Sequence, residues 1–188
     1  MRTTFKISLL AALAICSLQF KAFAQDTQTD NHQITVVIPN IALLDLETSV
    51  AKNFTATYVQ PTPLEAGEKI NTPANNTDLW LNYSSIIPTT VTSRRVDVKA
   101  SATVAGTNIT VVAAAATTGA GTRGTPASTV TLTTSDQAVI TGIGSAYTVT
   151  GASNGHRLTY AFSAADGDYA NLRAGSATVT VTYTLVDN

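Results

Sequence analysis

Alternation is the clearest pattern in the chain, and it is cleanest near the C-terminus. Val179, Val181, Tyr183 and Leu185 take one phase, and Thr178, Thr180, Thr182 and Thr184 take the other. A period of two in β-branched and aromatic residues predicts a strand with one face on a core and one in water. This strand is expected to close the fold, with no tail or anchor after it. The same period over 32–38 puts Ile34, Val36 and Ile38 on one face. Pro39 lacks an amide donor and breaks that strand. The stretch 41–46 is apolar on both faces, and is either a continuation past a bulge or a short buried turn.

Further along, Val96, Val98, Ala100 and Ala102 are expected inward, with Arg95, Asp97, Lys99 and Ser101 outward. Gly106 then turns the chain, so that 108–116 is expected to pair back as a hairpin. Leu79-Trp80-Leu81-Asn82-Tyr83 carries large residues on both faces, which predicts a central strand. Shorter strand-like runs lie at 53–59, 130–132, 139–140, 147–149 and 158–162. Asn154-Gly155 between two such runs is a hairpin signal. Prolines and asparagines make 60–77 a long irregular segment. The stretch 117–125 reads as a Gly/Thr loop whose one charge is Arg123. About nine or ten short strands, with turn signals roughly every 8–12 residues, predict an all-β fold. The architecture expected is an Ig-like or jelly-roll-like antiparallel β-sandwich, one domain over 32–188, preceded by a disordered polar leader at 25–31.

The first 24 residues change the picture. Arg2 and Lys6 precede an apolar run from Ile7 to Leu18, and Ala22-Phe23-Ala24 fits a cleavage site. Such a segment predicts export by a removable signal peptide, since the run is too short to span a bilayer as a mature helix. A competing reading makes Cys16 a lipid-modified residue, although bulky Ile15 sits where a small side chain is wanted. Cleavage after Ala24 leaves 164 residues, enough for one domain with a core. It also removes Cys16, the only cysteine, so no disulfide is expected despite export. The expected location is secreted: periplasm, cell surface or extracellular space.

Residues 25–188 hold eight Lys and Arg against twelve Asp and Glu, a formal charge of −4. The charges are scattered, so no nucleic-acid surface is expected, and no transmembrane span. Threonine is the main polar residue, with 31 copies after residue 24, and supplies the solvent faces of the strands.

Candidate chemistry is sparse. His32 and His156 are far apart, have no metal-ligand spacing, and are expected to face solvent in turns. No serine nucleophile with a partner histidine is expected, and the carboxylate pairs Asp45/Glu47 and Asp166/Asp168 are weak grounds for glycosidase chemistry. Asp166-Gly167-Asp168 is the one cluster that could hold calcium through oxygen ligands, against its reading as an ordinary turn. No catalytic residue, metal or cofactor is expected. Among the aromatics, Trp80, Tyr160 and Tyr183 read as core, and Tyr169 as the best candidate for exposure.

The two ends together resemble the α-class, colonisation-factor type of chaperone–usher major pilins. Ile34-Thr35-Val36 followed by Ile41-Ala42-Leu43-Leu44 is similar to the N-terminal segment of that family. Leu79-Trp80-Leu81-Asn82-Tyr83-Ser84 and the Thr/Val-rich last strand agree with its middle and end. The resemblance implies that the N-terminal segment completes the sandwich of a neighbouring subunit, with Ile34, Val36 and Ile38 as its contacts. The pattern itself leaves open whether 32–38 pairs within its own chain or with a neighbour's edge. The expectation is a non-catalytic structural or adhesive surface protein. Its partners would be copies of itself or a related subunit. The alternatives are a secreted carbohydrate-binding module, with a glycan as ligand, and a secreted enzyme.

Overall fold

A computed structural model describes residues 28–188; the expected signal peptide at 1–24 and residues 25–27 of the leader lie outside the described residues. The chain divides into two units, one ending at Val37 and one running from Ile38 to Asn188. In the first unit the described residues form no strand. In the second, nine strands form one antiparallel hydrogen-bonded network: β1 (Ile41–Thr48), β2 (Asn76–Ile86), β3 (Arg94–Ala100), β4 (Asn108–Ala113), β5 (Ala120–Pro126), β6 (Val130–Thr131), β7 (Gln137–Tyr147), β8 (His156–Ser163) and β9 (Val181–Asp187). One short 3-10 helix spans Asp166–Asn171. The all-β expectation holds.

The ladder runs β6-β4-β8-β2-β7-β3-β9, with β1 on β2 and β5 on β7. It folds into two layers because β2 changes partner along one edge. Its first half pairs with β8, and Ser84 and Ser85 pair with Tyr147 and Ala146 of β7. Leu79, Leu81, Val111 and Leu158 of one layer and Val96, Val98, Val139 and Ile140 of the other fill a single core. The hydroxyls of Tyr160 on β8 and Tyr183 on β9 meet across the layers at 2.7 Å. Burial pushes the Tyr160 hydroxyl up to about 12, and it raises that of Tyr183 as well.

Several expectations of partner and face are corrected. The stretch 32–38 is not a strand in the isolated chain, since a strand needs a ladder partner and none is in place. The run at 53–59 keeps only an isolated bridge from Val59 to Asn71, while Phe54 packs edge-on against Tyr160 at 5.5 Å. β4 does not pair back onto β3. It crosses at Gly106 to lie between β6 and β8. Asn154-Gly155 turns the chain, but β7 and β8 do not form a hairpin, because β2 lies between them. The Gly/Thr loop is strand β5. Ala102 lies past the end of β3 and is exposed, whereas Asp97 is buried beneath Arg95, which donates to its carboxylate at 2.8 Å. Val181, Tyr183 and Leu185 do share the inward face of β9, yet stay half-buried because β9 is an edge strand.

Candidate functional site

Among the described residues, the N-terminal segment exposes a run of apolar side chains, and β1 and β9 are edge strands that pack on the core. Ile34, Val36, Val37 and Ile38 are 76, 77, 83 and 70% exposed. Apolar side chains this open, four within five residues, are unusual away from an interaction site. The expected contact residues Ile34, Val36 and Ile38 are thus each accessible, on a segment with no regular secondary structure and no ladder partner among the described residues.

In the second unit, β1 pairs only with β2, and β9 only with β3. Both present an unpaired backbone edge. Their inward-facing residues, Leu44 and Leu46 on β1 and Val181, Tyr183 and Leu185 on β9, pack on the core but remain half-buried. The sheet is not closed: β5 and β6, like β1 and β9, each have a single ladder partner among the described residues. One corner of the sheet is tied by Arg94, at the start of β3. Its buried guanidinium donates to Asp187 Oδ1 at 2.6 Å, Asn40 Oδ1 at 2.7 Å and Ser85 Oγ at 3.1 Å, and also to the Ile41 carbonyl. The start of β1 and the end of β9 are therefore fixed to one buried cation.

The two histidines separate. His32 is exposed, as expected. His156 is fully buried, which corrects the solvent-facing expectation. Its Nδ1 donates to the Ala114 carbonyl at 2.8 Å, its Nε2 lies 3.0 Å from the Tyr83 hydroxyl, and its ring stacks on that of Tyr83. The Tyr83 hydroxyl sits between two acceptors, Nε2 and the Arg123 carbonyl, with one proton to share. Burial lowers the imidazole pKa below its ordinary 6.5 and raises that of Tyr83. The unfolded chain binds a proton as pH falls through 6.5, while the folded chain resists until lower pH. The contribution of His156 is thus complete above that value and is lost below it. The urea midpoint should drop between about pH 7.5 and about pH 5, and that drop should shrink in His156→Gln. An unchanged pH dependence in the variant would show that His156 does not titrate between folded and unfolded states.

The calcium candidates lie on the short 3-10 helix. Asp166 Oδ1 accepts from Lys69 Nζ at 2.6 Å, a pairing that holds its carboxyl below the usual range. Asp168 is exposed on the same turn. No group of three or more His, Cys, Asp and Glu capable of holding a metal ion occurs among the described residues. Tyr169 is exposed, as expected, with Lys69 over its ring and its hydroxyl accepting the Ile70 amide at 3.4 Å. Trp80 is half-buried under Arg157, 5.8 Å from the ring centre. Among the described residues the most exposed aromatic side chain is Tyr147, at the end of β7. Among the described residues no helix is long and apolar enough to cross a membrane.

No protein-family model, no curated protein and no solved structure matches this chain.

Proposed function

We propose that the chain is a non-catalytic, exported surface subunit that joins copies of itself, or a related subunit, by strand addition. The segment 32–38 of one copy would lie against the next, between β1 and β9. The observation that carries this reading is the exposure of Ile34, Val36 and Ile38 on a segment with no ladder partner. The half-buried inward faces of β1 and β9 supply the complementary surface. An added strand would satisfy its own amides and carbonyls on a free edge, while alternate side chains enter the groove. Burying those three side chains is worth roughly 2 kcal/mol each, to be set against the entropy of association. The contact joins two different surfaces, so it propagates into a chain of subunits rather than closing as a symmetric pair.

The test is whether residues 25–188 form mass-distributed oligomers that Val36→Asp abolishes. A charge placed in the groove would be buried without a partner. In the monomer Val36 is exposed, so the fold should keep its stability. Oligomers unaffected by Val36→Asp would refute this contact.

A further inference from the structure

A second surface lies on the outer face, away from the core. Where β2 passes from β8 to β7, Leu43, Ser84 and Tyr147 stand in register across β1, β2 and β7. Ser84 is small and its two neighbours are large, so the row is notched. The notch opens into a recess of about 260 Å³, also lined by Asp45, Asn82, Val149 and Thr150. Tyr147 is 53% exposed, Leu43 65% and Val149 41%.

The wall formed by the turn after β7 is held rigidly. The Thr148 amide donates to the Tyr83 carbonyl at 3.1 Å, and the Tyr83 amide to Thr148 Oγ1 at 2.9 Å. Asn82 Nδ2 donates to the Gly151 carbonyl at 2.8 Å, and Asn154 Nδ2 to the Thr150 carbonyl at 2.7 Å. This network keeps Val149 at φ 70°, a left-handed conformation that a β-branched residue adopts only when its surroundings impose it. Strain of this kind concentrates at ligand-holding sites. The lining, which Leu44 and Tyr83 complete, joins the exposed ring of Tyr147 and the exposed side chains of Leu43 and Val149 to the hydroxyls of Ser84 and Thr150. Its carboxylate, Asp45, is balanced by Lys52 at 3.3 Å, so the rim carries no net charge.

From this we infer that the recess is a binding site for a neutral pyranose, with the C–H face of the sugar ring on Tyr147 and its hydroxyls toward Asp45, Ser84 and Thr150. A sugar ring has the matching composition: an apolar face with partial positive charge toward the π-cloud, and a polar perimeter. A charged ligand would disrupt the Asp45–Lys52 balance, and a purely aliphatic one would leave the polar rim unpaired.

Saturation-transfer NMR on the 25–188 chain tests this, because it reads both monomers and large assemblies and so does not depend on strand addition. The probes are the methyl pyranosides of glucose, galactose, mannose and N-acetylglucosamine. The expected result is transfer from at least one, strongest at the C–H protons of a single ring face. Tyr147→Ala should weaken that affinity about tenfold, and Tyr147→Phe should retain it. Tyr147 is exposed, so both variants should fold. Absence of transfer from all four, or transfer unchanged in Tyr147→Ala, would overturn the assignment. Displacement of the bound glycoside by a peptide of residues 32–38 would also overturn it, by giving the recess to the chain's own segment.

Discussion

Replacing Gly119 by alanine should cost about 4 kcal/mol, a large part of what a domain of this size holds in reserve. A Cβ at this position would lie 1.8 Å from the Tyr147 carbonyl oxygen and 2.7 Å from Thr148 Cα. Both obstacles are backbone, so no side-chain rotation relieves the clash. The φ of +84° adds the left-handed penalty for any residue bearing a Cβ. Room can be made only by moving β5 off β7, and that movement would withdraw the Arg123 carbonyl from the Tyr83 hydroxyl. Gly142→Ala is the matched comparison. Its φ of +69° is similar, but its Cβ would meet open space, so only about 1 kcal/mol is expected. Urea unfolding of the two variants reads the difference. Equal midpoints would mean that β5 is not seated on β7 as described.

Arg94→Met should destabilise by about 3 kcal/mol even though it fills nearly the same volume. The side chain is 2% exposed, and its donors serve partners from the start of β1, the end of β2 and the end of β9. Methionine leaves the buried Ser85 hydroxyl and the Ile41 carbonyl without their donor, and an unpaired buried acceptor costs more than a hydrogen bond normally gains. Arg94→Lys should recover less than half of the loss. One ammonium cannot reach partners that the planar guanidinium fork spans. The loss should be local as well as global: hydrogen exchange should speed up at the start of β1 and at the end of β9. Protection unchanged there would mean that the cluster is not what ties the two edge strands.

The faces of the strands were far more legible than their partners. Alternation alone places Val96, Val98 and Ala100 inside, and likewise Leu158 and Tyr160. Carried one step toward the N-terminus, those phases also place Arg94 and His156 inside, where they are. The signal for the buried cation and the buried imidazole was thus present in the period. It was hidden by the habit of assigning charged residues to solvent. Alternation says nothing about which strand lies alongside, so β4 was expected beside β3, and β7 and β8 were expected as a hairpin. β5 escaped because its side chains are mostly exposed, and because its glycines, which allow the backbone to approach β7 closely, carry no hydrophobic period. The Tyr147 recess depends on register across three strands that are distant in sequence. No local pattern could have revealed it.

The central claim is that 32–38 belongs to a neighbour's groove. Light scattering with size-exclusion chromatography on residues 25–188 and on the same chain shortened to begin at Pro39 tests it most directly. The longer chain should elute as a series of oligomers that resist dilution. The shortened chain keeps Asn40 for Arg94, and should elute as a folded monomer that binds a peptide of residues 32–38. A dilution-resistant monomer from the longer chain, or an unfolded shortened chain, would contradict the claim and return the segment to its own sheet.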